Sequence, residues 1–160
     1  MAMKLTEIVN PEAVLPELEA TERDDAIVEI IDALVAAGAA KAEHRDALVA
    51  AVLERERKGS TGFGRGVAVP HVKHPGVSKM AAGVARSSKG IDFSALDRQP
   101  VYSVVLLLSP ENSPEDHLKA MEVIFKSLGN ETFRRFLRQA STREEIIELL
   151  HEADHQKLPG

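Results

Sequence analysis

The eight residues VYSVVLLL, at positions 101–108, constrain the fold of this chain more than any other stretch. A run so rich in Val and Leu, too short to be a full helix, reads as a strand buried on both faces. Such a strand has to be covered by other layers, and the covering material lies on either side of it in the sequence. Upstream, TERDDAIVEIIDALVAAG sets Ile27, Ile30, Ile31, Leu34 and Val35 at helical spacing, with Gly38 as a stop and Thr21 and Asp24 resembling a capping box. A second helix follows in AEHRDALVAAVLERERK, where Leu48, Ala51, Val52 and Arg55 share a face and Gly59 ends the run. GVAVPH and MAAGVARS read as two further strands, with Pro70 expected at a strand end or an edge because it has no amide hydrogen. GIDFSALDRQPV is turn-rich, with Phe93 and Leu96 expected to point inward. Helix returns after Ser113 and Pro114, a cap and a first-turn proline, and Leu118, Met121, Phe125 and Leu128 run down to Gly129. ETFRRFLRQA is a short amphipathic piece, and STREEIIELLHEA opens on a capping box of Ser141 and Glu144. Helices, then strands, then helices argue for an α/β sandwich of one domain, ending in a frayed tail from residue 154 to 160.

Composition narrows the function classes. The chain has no cysteine among its 160 residues, which excludes disulfides, thiolate zinc sites and thiol nucleophiles. Its net charge of −5, with no long Lys/Arg block, lacks the concentrated positive charge that a nucleic-acid grip needs. The longest strongly apolar run, VVLLL, is far too short to cross a bilayer, and the first residues do not form a signal peptide. The expectation is a cytoplasmic protein with no direct membrane insertion.

The candidate chemistry gathers around GSTGFGRGVAVPHVKH, residues 59 to 74. Gly59 and Gly64 have P-loop spacing, but Arg65 and Gly66 stand where Lys and a hydroxyl belong. The glycines also follow a helix and precede a strand, the reverse of a dinucleotide fingerprint. That leaves a loop whose amides and hydroxyls, at Ser60, Thr61 and Gly62, suit an anion, or a plain helix-to-strand connection. His71 lies at the C-terminal end of a predicted strand, where α/β sheets place ligands. His74 completes an H-x-x-H, but a strand or loop does not put both imidazoles on one face, so no metal site is expected. His117 falls in the first turn of the capped helix and in line with Met121, Ile124 and Leu128, which suits either an anion-binding donor or a core histidine. Arg55, ahead of the glycine loop, offers a planar fork for phosphate or carboxylate, or is a surface arginine near a helix end. There is no G-x-S-x-G elbow, and no carboxylate pair stands out from the solvated charges.

RERKGSTGFGRGVAVPHVK resembles the phosphorylation-site signature of the enzyme IIA domains of the bacterial phosphoenolpyruvate-dependent phosphotransferase system. The resemblance is to the fructose/mannitol class and its nitrogen-regulatory branch, and it continues through GIDFSALDRQPVYSVVLLLSPENSPEDHLKAMEVIFKSL. It spans residues 5–153, and its distinctive parts are an acidic residue, the glycine loop, the apolar-Ala-apolar-Pro-His ending and a distant His-Leu on a capped helix. It implies a mixed, mostly parallel β-sheet with helices on both faces. It also implies that His71 accepts a phosphoryl group through Nε2, with His117 and Arg55 supporting it, and that no metal or cofactor takes part. The donor implied is the phosphohistidine of the histidine-containing phosphocarrier protein. The acceptor downstream is a IIB domain in transport or a target protein in regulation, and the GSTGFG loop looks like the regulatory branch. A binding module that has kept the fold and lost transfer is the reading from another class. Val72 stands where the family usually has a very small residue, beside the expected phosphohistidine.

Overall fold

The computed structural model describes residues 3–156 and 158. β6 (Val101–Pro110) is central. On one side it pairs with β5 (Ala81–Ile91), antiparallel; on the other with β3 (Val67–Ala68) and β4 (His71–His74), both parallel. β1 (Val9–Leu15) lies parallel beyond β5, and β2 (Gly62–Gly64) antiparallel beyond β3. The order is β1-β5-β6-β3-β2, with β4 also on β6. The sheet is mixed, with three parallel pairings and two antiparallel, the long β5–β6 ladder being antiparallel.

Two cores follow from the alternation of side chains along β6. Val104, Leu106 and Leu108 face α2 (Arg23–Ala36) and α3 (Arg45–Lys58), where they join Ile27, Ile30, Ile31, Leu34, Leu48 and Val52. Val105 and Leu107 face the other helices: α1 (Leu5–Ile8), α4 (Pro114–Leu128), α5 (Glu131–Gln139) and α6 (Arg143–Asp154). The neighbouring strand divides in the same way, with Ala68 in the first core and Val67 and Val69 in the second. This parity places His71 on the α4 face and Val72 on the α2–α3 face.

β3 and β4 are one strand passing through Val69 and Pro70. Both halves keep the same register against β6, and the Pro70 carbonyl accepts from the Leu107 amide at 3.0 Å. Among the described residues no strand pairs outside β4, so Pro70 and His71 sit on the sheet's edge. The strand runs on to His74, three residues beyond the end expected from GVAVPH.

Several local expectations shift. The Thr21–Asp24 box does not form: α2 has Glu22 at its cap, and Asp24 pairs with Arg23 at 2.9 Å. The last helix is capped one residue later, by Thr142 accepting from the Glu145 amide, an equally good S/T-x-x-E. Ser113 is the cap residue of α4 with Pro114 following, but its side chain accepts no amide. Leu96 is 79% exposed on a turn between Ser94 and Arg98, both at positive φ, while Phe93 alone turns inward. Leu118 and Phe125 line the outer face of α4, and His117, Ala120, Ile124 and Leu128 form the buried one. The first two elements, α1 and β1, are added at the N-terminus. Asp154 belongs to the folded body rather than to a tail: its carboxylate accepts from the Leu5 and Thr6 amides and the Thr6 hydroxyl. Residues 157, 159 and 160 of the expected tail lie outside the described residues.

Gly83, on β5, lets α2 approach the sheet. A Cβ there would lie 2.7 Å from Ile30 Cγ2 and 3.2 Å from the Ala13 carbonyl. Gly83→Ala should therefore lower stability by about 1–3 kcal/mol through overpacking, read as a reduced midpoint in urea denaturation at unchanged slope.

Candidate functional site

Three positions on one face make the centre of the site. His71 and Ser109 project from adjacent strands toward α4, and His117 comes down from α4's first turn, its amide bonded to the Ser113 carbonyl at 3.1 Å. The two imidazole rings lie 5.6 Å apart at 45°. His117 is buried and His71 half-buried at the sheet's edge.

The hydrogen bond of His71 fixes its proton. Nδ1 lies 2.7 Å from the Val69 carbonyl oxygen. A carbonyl only accepts, so Nδ1 carries the hydrogen and Nε2 keeps the lone pair. Burial pushes the His71 pKa below its ordinary value; the Val69 bond and Glu56 oppose this, and the charges of Arg55 and Lys73 add to it. His117 is lowered to about 4, mainly by burial, then by His71 and Lys73. Its Nδ1 is 2.7 Å from Ser109 Oγ. Both rings are neutral at pH 7.

The glycine loop is held from beneath by Glu56. The buried face of α3 runs Leu48, Val52, Glu56, so Glu56 takes the inward place and Arg55 stands beside it, half-exposed. The Glu56 carboxylate accepts from the Thr61 amide at 2.8 Å and the Thr61 hydroxyl at 2.7 Å. Ser60 Oγ donates to the Phe93 carbonyl and accepts from the Gly62 amide at 3.0 Å. The Ser60 and Thr61 hydroxyls and the Thr61 and Gly62 amides, expected to face an anion, are thus engaged by acceptors of the protein itself, because buried polar groups have to be satisfied. Arg55 donates to the Gly59 carbonyl at 2.8 Å and reaches His71 through its charge. Gly64 and Gly66, at φ +110° and +79°, form the turn that starts the His71 strand. Phe63 then meets Phe125 of α4 at 4.9 Å, joining the loop to the helix that carries His117.

A shallow apolar groove opens in front of the two histidines, lined by Leu118, Met121 and Phe125 with Glu122 and Lys126. Lys73, two residues along β4 from His71, adds positive charge on the same face; this i, i+2 relation was available in the sequence and went unread there. Val72 packs on the opposite face, against the α2–α3 core, so its branched side chain does not stand beside His71. His74 shares the parity of Val72, and its Nδ1 accepts from the Gly76 amide at 2.9 Å. Among the described residues no group of three or more His, Asp or Glu is placed to hold a metal ion.

The sequence pattern of the family described as "Phosphoenolpyruvate-dependent sugar phosphotransferase system, EIIA 2" matches residues 7–153. The chain belongs to this family. It is 37% identical over 150 residues to a nitrogen regulatory protein of Bradyrhizobium diazoefficiens, covering 92% of this chain and 95% of that one. It is 33% identical over 152 residues to the fructose-specific EIIABC component of Bacillus subtilis, covering 95% of this chain but spanning only 24% of that relative's length. The crystal structure of the nitrogen regulatory protein IIA-Ntr from Neisseria meningitidis superposes with a TM-score of 0.80 at 27% identity, over 90% of this chain and 97% of that one. The mixed open sheet flanked by helices is therefore the fold of the EIIA 2 family. Among the described residues no helix is long and apolar enough to cross a membrane.

Two outcomes test this EIIA site independently of transfer. Glu56→Ala should cost about 2–3 kcal/mol, since it strands the Thr61 amide and hydroxyl, and chemical denaturation reads this directly. The low pKa of His117 means that the unfolded chain binds more protons than the folded one between pH 6.5 and about 4. Stability is then complete above that window and falls as pH drops through it. His117→Gln should flatten the fall when wild type and variant are melted side by side across the window.

Proposed function

We propose that this EIIA chain is a phosphocarrier that accepts a phosphoryl group on His71 Nε2 from the phosphohistidine of the histidine-containing carrier protein. The observation that carries the reading is the Nδ1 bond to the Val69 carbonyl, which leaves a neutral imidazole with its lone pair on Nε2. In the transfer the Nε2 lone pair forms the new N–P bond while the donor's N–P bond breaks, and the donor nitrogen keeps the bonding pair. The hydrogen stays on Nδ1, donated to the Val69 carbonyl oxygen, which stabilises the positive charge that develops on the ring. The oxygens of the moving group meet His117 and the positive charges of Arg55 and Lys73. The loop of Ser60, Thr61 and Gly62 is anchored by Glu56 and Phe93, and its Thr61 carbonyl accepts from the Val69 amide at 3.2 Å, which steadies the His71 strand. Transfer between two imidazoles asks for positioning and charge stabilisation, and no cofactor is needed for it.

The phosphorylated form serves regulation, through contacts with target proteins in the cytoplasm. What supports this over transport is that the 37% identical relative from Bradyrhizobium diazoefficiens and the solved structure from Neisseria meningitidis, at a TM-score of 0.80, are both nitrogen regulatory proteins, while the Bacillus subtilis relative is a fructose-specific component. Delivery to a IIB cysteine is the second reading, favoured by that same fructose-specific relative.

Phosphoenolpyruvate, enzyme I and the carrier protein, mixed with this chain, should give an acid-labile mass gain of one phosphoryl group. His71→Ala should show none, and His117→Ala should slow labelling about a hundredfold. Undiminished labelling of His71→Ala sinks the assignment. A purified IIB domain added to the labelled protein then separates the two roles, because rapid loss of label to IIB would favour transport.

A further inference from the structure

We infer that Ser109 is a positioning residue for the transfer: its hydroxyl donates to His117 Nδ1 and thereby turns His117 into an Nε2–H donor aimed at the phosphoryl site. The inference rests on the phosphocarrier reading for its consequence, but not for its chemistry.

Ser109 lies on β6, opposite Lys73 in the register, and its parity carries its side chain to the α4 face with that of His71. It is 0% exposed. Its Oγ lies 2.7 Å from His117 Nδ1, and among the described residues this is the hydroxyl's one hydrogen bond. A serine hydroxyl has a single hydrogen, and a buried hydrogen without an acceptor is costly. If Nδ1 of His117 carried the proton, it would donate to Oγ, and the Ser109 hydrogen would be left without a partner in a closed interior. With the proton on Nε2, the hydroxyl donates to the Nδ1 lone pair and both groups are satisfied. Only the second arrangement completes the network.

The consequence is a matched pair of rings. The Val69 carbonyl accepts from Nδ1–H of His71 and leaves a lone pair on its Nε2, while the Ser109 hydroxyl donates to the Nδ1 lone pair of His117 and leaves a hydrogen on its Nε2. One ring is thereby set as nucleophile and the other as a neutral donor to an oxygen of the incoming group. The low pKa of His117 agrees with a ring that stays neutral while it donates. A backbone carbonyl and a side-chain hydroxyl, placed on neighbouring strands, impose opposite tautomers on two histidines of one site.

The test is a long-range proton–nitrogen correlation spectrum of the imidazoles in uniformly 15N-labelled protein at neutral pH. Wild type should show His117 as the Nε2–H tautomer and His71 as the Nδ1–H tautomer. Ser109→Ala, a nearly isosteric change, should leave His117 as a mixture of tautomers while His71 keeps its own. In the carrier-dependent assay Ser109→Ala should still label His71, at a rate lowered about tenfold, the worth of one fixed hydrogen bond. Ser109→Thr, which retains the hydroxyl, should restore the tautomer and most of the rate. An Nδ1–H tautomer for His117 in wild type would overturn the inference, as would a Ser109→Ala variant whose tautomer and rate match wild type. Failure of wild type to label at all removes the phosphocarrier reading, and the spectra still decide what Ser109 does to His117.

Discussion

Burial of β6 on both faces is the constraint from which the rest of the structure follows. A strand with Leu106, Leu107 and Leu108 all at 0% exposure needs two separate apolar layers, one for each parity. Each such side chain contributes roughly 1.5–3 kcal/mol when removed from water, so neither layer can be left open. α2 and α3 supply one layer, and α4, α5 and α6, joined by α1, supply the other. The close approach of α2 over Gly83 shows how tightly the first is drawn down. The same parity rule then sorts the functional residues, sending His71 and Ser109 toward α4 and Val72 and His74 away from it.

The site uses that frame to make two neutral histidines chemically different. Burial lowers both, and the nearby positive charges of Lys73 and, for His71, Arg55 lower them further, so neither ring depends on a counter-charge. What distinguishes them is the group each Nδ1 meets. A carbonyl can only accept, whereas a hydroxyl donates or accepts according to what else surrounds it. The polar loop beneath the site is closed on itself through Glu56 and Thr61, so it contributes shape more than free donors. The apolar stripe of exposed Leu118 and Phe125 with half-buried Met121 lies beside this pair.

Much of this was legible in the residues. VYSVVLLL, GVAVPH and the helices on either side follow from periodicity, and the Pro-His ending with a histidine one turn into a capped helix marks the two rings. The errors have physical causes. β1 contains Pro11 and pairs irregularly on the sheet's edge, so it has no clean alternation to read. Ser60 and Thr61 looked like anion donors because sequence cannot show that Glu56, five residues before Thr61, turns inward and engages it. Leu96 looked buried by type, yet its turn turns it outward. Val72 looked adjacent to His71 because sequence neighbours on a strand are close in number while facing opposite sides.

Short-range periodicity, caps and chain breaks were enough to set the covering layers, the order of the main elements from Arg23 onward, and the places of His71 at a strand and His117 in a first helical turn. For His71 the family resemblance already implied a free Nε2, and tertiary structure supplied the partner of Nδ1; for His117 the nitrogen that carries the hydrogen was decided only by tertiary structure. Val69 reaches His71 because it lies two residues before it on the same strand, with its carbonyl within hydrogen-bond distance of the ring. Ser109 reaches His117 because a parallel register sets β6 beside β4 and α4 folds back over both. Hydrogen-bond partners that lie eight residues apart across a strand-to-helix turn have no periodicity to announce them, and a proton's place on an imidazole depends on just such partners.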